Sequence, residues 1–168
     1  NSLMNHGICI ADNGVPDSLE MNDKDIADEI WSYFGNGSAL QELYVNPHKL
    51  NKNNWDSMAD AAKWAKANEN ILSDTHWVGG SPAESAVYGF ASFVSKKGLL
   101  MLRNPSSQKQ QFLVNTAVVF EIPRNQSANY QFFDVQTGNK MQAVASGSQF
   151  QIELKPFKVK ILEAITQK

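Results

Sequence analysis

The sequence predicts an α/β region over residues 1–83 followed by an all-β region over residues 84–168. Three observations predict this. The first half alternates short apolar runs with segments of helical spacing, in the order strand, helix, strand, helix, strand, which is the signature of a parallel βα arrangement. From about Ala86 onward helical spacing disappears, and β-forming runs follow one another between turn signals, the pattern of an antiparallel β-sandwich. With 42% hydrophobic and 19% charged residues over 168 positions, the chain is apolar enough to bury a core and long enough for one ordinary domain or two small ones.

Residues 3–11 read as a buried strand, a short apolar run closed by Asp12-Asn13-Gly14. A helix is predicted over residues 24–34. Asn22 or Asp23 caps it, Asp25, Asp28 and Glu29 lie toward its positive end, and Ile26, Ile30, Phe34 and Trp31 form its apolar stripe. Gly35-Asn36-Gly37 stops it. A second strand is predicted over residues 39–45, closed by Asn46-Pro47, and a second helix over residues 54–68. That helix is capped by Asn53 or Asn54 and packs through Trp55, Met58, Ala59, Ala62 and Ala65. Residues 70–76 are the third strand candidate.

In the second half, strands are expected over residues 87–94, 99–103, 111–114, 117–121, 130–134, 141–144, 150–154 and 159–163. Turn signals such as Lys96-Lys97-Gly98, Asn104-Pro105, Thr137-Gly138-Asn139 and Ser146-Gly147-Ser148 separate them. Phe150, Ile152 and Leu154 alternate cleanly, so one face of their strand is buried. Phe132, Phe133 and Phe157 are expected in the sandwich core.

Composition excludes several classes. A net charge of -2 with both signs interspersed argues against a nucleic-acid binder or a polybasic membrane anchor, and no run approaches the ~20 apolar residues of a membrane span. The single cysteine, Cys9, sits in an apolar run and reads as a small buried hydrophobe. No metal-ligand spacing, phosphate-binding glycine loop or nucleophile elbow is present, so neither metal nor cofactor is expected. The chain begins almost directly with a strand, which suggests a piece of a longer protein.

In parallel βα architectures functional groups gather at the C-terminal ends of the strands. That rule selects Asp12 and Asn13 after the first strand; Glu42 and Tyr44 within the second, with Asn46 and His48 after it; and Asp74, His76 and Trp77 after the third, followed by Gly79-Gly80. Carboxylates accept hydrogen bonds from sugar hydroxyls and aromatic faces carry sugar rings. Glu42, Tyr44, His48, Asp74, His76 and Trp77 are therefore the candidate substrate-binding residues for a carbohydrate. The competing structural reading has Asp74 capping a turn, His76 satisfied in the interior and Trp77 filling the joint between the two halves. His6 reads as core.

The stretches Leu40-Gln41-Glu42-Leu43-Tyr44-Val45, Asn54-Trp55-Asp56, Ala62-Lys63-Trp64-Ala65 and Asp74-Thr75-His76-Trp77-Val78-Gly79-Gly80 resemble the end of a family of large bacterial glycoside-hydrolase-like proteins related to the alpha-galactosidases, some labelled enterotoxin. Tyr88-Gly89-Phe90-Ala91, Lys97-Gly98-Leu99-Leu100-Met101-Leu102-Arg103-Asn104-Pro105-Ser106, Phe120-Glu121-Ile122-Pro123 and Leu154-Lys155-Pro156-Phe157 continue the likeness. The resemblance implies the last strands and helices of a (β/α)8 catalytic barrel followed by an antiparallel β-sandwich. It also implies a retaining glycosidase whose main catalytic carboxylates lie on earlier strands, so no catalytic residue is assigned within this chain. The implied partners are a carbohydrate and either the remainder of the barrel or a second copy of the chain, and the implied compartment is extracytoplasmic. The alternative is a non-catalytic carbohydrate-binding module.

Overall fold

Leu99, Leu100, Met101 and Leu102 are four apolar residues in a row where a half-buried strand would alternate. The computed structural model of the protein shows why: their strand runs through the middle of a sheet covered on both faces. The structure describes residues 5–10, 22–38, 40–123 and 125–167, the first of these by backbone alone. In chain order the elements are β1 (Asn5–Ile10), α1 (Asp23–Gly35), β2 (Leu40–Val45), α2 (Lys52–Ala67), a one-turn α3 (Glu69–Leu72), β3 (His76–Gly79), β4 (Tyr88–Val94) and β5 (Lys97–Arg103). Then follow β6 (Gln110–Asn115), a one-turn α4 (Thr116–Val119), β7 (Asn129–Asp134), β8 (Lys140–Ala145), β9 (Gln149–Leu154) and β10 (Val159–Thr166). Cys9 and His6 lie on β1, but their side chains, and Asp12 and Asn13 entirely, fall outside the described residues.

β1 and β2 pair in parallel, Asn5 opposite Leu40 and Ile10 opposite Val45, with α1 as the crossover between them. Six strands in the order β3-β4-β5-β10-β7-β8 form an antiparallel sheet, and β6 and β9 form a second, two-stranded one. The side chains of the large sheet divide by parity. Leu100, Leu102, Leu162 and Ala164 face β6 and β9, together with Val114, Phe150, Ile152 and Leu154. Leu99, Met101, Val159 and Ile161 face the helical layer and meet Ile26, Ile30, Trp31, Phe34, Met58 and Ala65. Three layers thus share one sheet.

Polar groups tie the layers together. Trp64 on α2 donates from Nε1 to Glu163 on β10 at 2.8 Å, and Lys97 meets the same carboxylate at 3.0 Å. Arg103 on β5 grips Glu29 on α1 with both terminal nitrogens. Lys158 reaches Asp28 on α1 at 2.5 Å. At the N-terminal ends of the two helices, the Asp23 carboxylate accepts from the side-chain amides of Asn51, Asn53 and Asn54 at 2.6, 3.0 and 3.1 Å. These amides, Asn53 foremost, hold its carboxyl below the usual aspartate range. The cluster joins the N-termini of α1 and α2, so the two helices run side by side in the same sense.

Several sequence expectations are corrected. α2 is capped by Asn51, not Asn53 or Asn54: Asn54 instead reaches back to the Asn51 amide, completing a reciprocal capping box. Its buried face is Asn54, Met58, Ala61 and Ala65, which leaves Trp55 and Ala59 exposed. Residues 70–76 are not a third parallel strand. The chain makes one helical turn through α3, and strand structure begins at His76 as β3, antiparallel to β4. Residues 117–121 are not a strand either. Asn115 accepts from the Val118 amide and so caps a helical turn there, which overrides the β propensity of Val118 and Val119. Phe120, just after that turn, lies 6.2 Å from Phe132 in the sandwich core. Phe157 is exposed, in a tight turn at φ 55°, and Phe133 faces away from the sandwich interior. The remaining strands fall where expected, within two residues at each end, except that β10 runs three residues further, to Thr166.

Candidate functional site

The candidate residues fall into two groups on different sheets. In β2 alternate side chains point opposite ways. Val45 packs against the helical core, so Leu40, Glu42 and Tyr44 face away from the helices. The Tyr44 hydroxyl donates to Glu42 Oε2 at 3.0 Å, and the Tyr33 hydroxyl on α1 donates to the Glu42 carbonyl at 3.1 Å. Tyr44 is 57% exposed. The hydrogen bond to Glu42, with its negative charge, raises the phenol above its ordinary pKa, because losing the proton would break that bond and set two anions side by side. A Glu42→Gln substitution is therefore expected to lower the Tyr44 pKa toward the ordinary tyrosine value, read by ultraviolet titration of phenolate absorbance against the unchanged protein. A Tyr44 pKa that stays put would show the pair to be unformed in solution. His48 follows β2 in a 3-10 turn over Pro47–Lys49, its backbone amide donating to the Asn46 side chain at 3.0 Å, and its ring is exposed.

The second group lies on the edge of the large sheet. Asp74 is exposed in the turn between α3 and β3, where its amide donates to the Ile71 carbonyl at 3.3 Å. His76 and Trp77, being successive residues of β3, point to opposite faces. His76 Nε2 donates to the Val119 carbonyl at 2.8 Å, which places the ring against α4 on the sandwich side and fixes the proton on that nitrogen. Trp77 points to the helix side. Its cross-strand partner is Phe90, whose ring it meets edge-on at 5.3 Å, and it stacks on the diagonal neighbour Tyr88 at 5.0 Å with the planes 5° apart. Tyr88 stands opposite Gly79. Gly79 has φ +90°, and a Cβ there would lie 2.4 Å from the Val87 carbonyl oxygen and 3.2 Å from the Phe112 ring. Trp77 remains 48% exposed. Next to Tyr88 in the same row stands Arg103, held by Glu29.

Trp77, named from the sequence, stands beside Tyr88, Phe90 and Arg103, which the sequence reading does not place with it. The signal was available: an antiparallel pairing of 76–79 with 88–91 brings these side chains onto one face, whereas a parallel strand over 70–76 separates them.

The folded class is a mixed α/β protein built on a mostly antiparallel sheet, and it matches the C-terminal β-sandwich region of the alpha-galactosidases. A provisionally assigned alpha-N-acetylgalactosaminidase from Bacillus halodurans C-125 superposes with a TM-score of 0.68 at 15% identity, over 88% of this chain and 33% of its own. Alpha-galactosidase I of Mortierella vinacea gives 0.64 at 10% identity over 88% and 38%, and the alpha-galactosidase of Saccharomyces cerevisiae, solved with raffinose, gives 0.62 at 8% over 89% and 45%. This chain thus spans about a third to a half of these structures. No protein-family model matches the sequence, and no curated protein matches it. Identities of this order carry the fold and not the activity, and nothing in the likenesses supports the enterotoxin label.

Proposed function

We propose that this chain is the C-terminal part of a retaining, alpha-galactosidase-like glycoside hydrolase, comprising the last βα units of a (β/α)8 barrel and the sandwich that braces them. The observation that carries the reading is the extent of the structural likeness. A match over 88% of the chain cannot be confined to residues 84–168 and must take in much of the β1–α1–β2–α2 region. The exposed surface supports it. Leu40 and Tyr44, on the face of β2 turned away from the helices, are large side chains left in water, and a closed barrel would cover such a face.

Under this reading the face of β2 that carries Leu40, Glu42 and Tyr44 lines the barrel interior, and His48 follows the strand at its catalytic end. Glu42 and Tyr44 accept and donate hydrogen bonds to sugar hydroxyls at the pocket rim. Asp74, His76 and Trp77 do not reach that rim. A helix that follows a barrel strand runs back along it, so the end of α2 and everything just after it lie at the opposite end of the strands. Retaining hydrolysis needs two carboxyls about 5–5.5 Å apart flanking the glycosidic bond, and these belong to strands outside this chain.

The full-length protein is expected to hydrolyse aryl α-galactosides or a close α-glycoside, and this chain alone is expected to be inactive. Assay of a panel of aryl α- and β-glycosides decides it; a full-length protein inert on the whole panel would remove the reading. The stacked, half-exposed Trp77–Tyr88 pair favours a second reading, a non-catalytic carbohydrate-binding module, for which sugar binding without hydrolysis is the mark.

A further inference from the structure

We infer that the shelf formed by Trp77, Tyr88 and Phe90 is the docking surface for the barrel helix that immediately precedes β1 in the full-length protein, an inference that rests on the barrel-end reading above. The order of layers over the large sheet carries it. α2 is fastened to β10 through Trp64 and Glu163. α1 is fastened to β5 through Glu29 and Arg103. The sheet continues past β5 to β4 and then to its edge, β3. Crossing it in that direction, one meets α2, then α1, and then β4 and β3, where the α3 turn packs on β4 and β5 and the aromatic shelf lies beside it.

The topology says what belongs on that side. α1 is the crossover of a parallel β1–β2 pair, and α1 and α2 lie side by side in the same sense, joined at Asp23. Crossovers in such units are right-handed, and successive helices take successive places around the strands. A helix leading into β1 therefore lies on the flank of α1 away from α2, over β4 and β3.

The chemistry of the shelf fits a helix. Its floor is three aromatic side chains, with Gly79 removing any side chain opposite Tyr88. A Trp that is 48% exposed and already stacked on one side offers its remaining area to the apolar stripe of a helix. The Glu29–Arg103 pair stands at the border with α1 as a polar rim. These two groups satisfy each other, so the floor of the shelf is mainly aromatic surface with a paired ion at its border.

The test places a photo-cross-linking benzophenone amino acid at position 77, and in a second variant at position 88, of the full-length protein, and maps the adduct by mass spectrometry. The expected result is a dominant intramolecular adduct in the first helix upstream of Asn1 from both positions. An adduct confined to other segments, or none, overturns the docking, as does specific protection of position 77 by a glycoside. The two proposals separate cleanly. A full-length enzyme that hydrolyses glycosides yet gives no such adduct loses the docking and keeps the function, whereas an adduct in a protein that hydrolyses nothing does the reverse.

Discussion

Replacing Gly89 with alanine is expected to unfold the sandwich. Gly89 sits in β4 opposite Leu102 of β5, on the face turned toward β6 and β9. A Cβ there would lie 1.8 Å from the Met101 carbonyl oxygen, 2.8 Å from its carbon and 3.1 Å from Leu102 Cα. All three are backbone atoms of the strand through which both cores are built. Inserting a methyl where side chains can give way costs about 1–3 kcal/mol; here no side chain can yield, and the ladder between β4 and β5 must open. The expected loss is at least about 4 kcal/mol, a large share of the ~5–15 kcal/mol that holds a typical domain. Urea unfolding followed by tryptophan fluorescence measures it. The matched comparison is Gly138→Ala, at φ +70° with no atom within 4 Å of the added carbon, where only the left-handed backbone is penalised, at about 1–2 kcal/mol. Equal shifts in the two variants would contradict the β4–β5 register.

Lys158→Ala is expected to be the second most damaging substitution. Asp28 on α1 has a side chain only 5% exposed, and Lys158, entering β10, is its close partner at 2.5 Å. Lys24, one helical turn before Asp28, stands at 3.5 Å and is 58% exposed. Removing Lys158 leaves a buried carboxylate whose nearest remaining ion-pair partner among the described residues is the distant, well-solvated Lys24. Breaking a buried pair from one side costs about 3–5 kcal/mol, because the desolvation of the remaining charge is no longer offset. Removing both charges together avoids that penalty, so Asp28→Leu with Lys158→Met is expected to recover most of the loss. The same unfolding experiment checks both. If the double variant is as unstable as Lys158→Ala, the loss comes from packing and not from a stranded charge.

The sequence made much of this fold legible, and the failures have physical causes. Ile26, Ile30, Trp31 and Phe34 were readable as the buried stripe of α1 because helical spacing is a strong signal over 13 residues. Phe150, Ile152 and Leu154 were readable because period-two alternation marks one buried face. Segments of one helical turn carry no such period. α3 was read as strand from Ile71 and Leu72, and α4 from Val118 and Val119, where a cap and the tertiary setting overruled local preference. The same misreading hid the aromatic shelf, because a strand over 70–76 belongs to the wrong sheet and points Trp77 at a ligand instead of at Tyr88. Glu42 and Tyr44 were legible as a pair because residues two apart on a strand share a face. The exposure of Tyr44 and its bond to Glu42 needed coordinates.

The most direct test of the account's central claim is the aryl-glycoside assay of the full-length protein, followed by proton NMR of the sugar first released from whichever substrate is cleaved. The account predicts cleavage of an α-galactoside or near relative with α-configured product appearing first, the outcome of a double displacement by two close carboxylates. Release of the β-anomer first, or no cleavage of any glycoside, would contradict it.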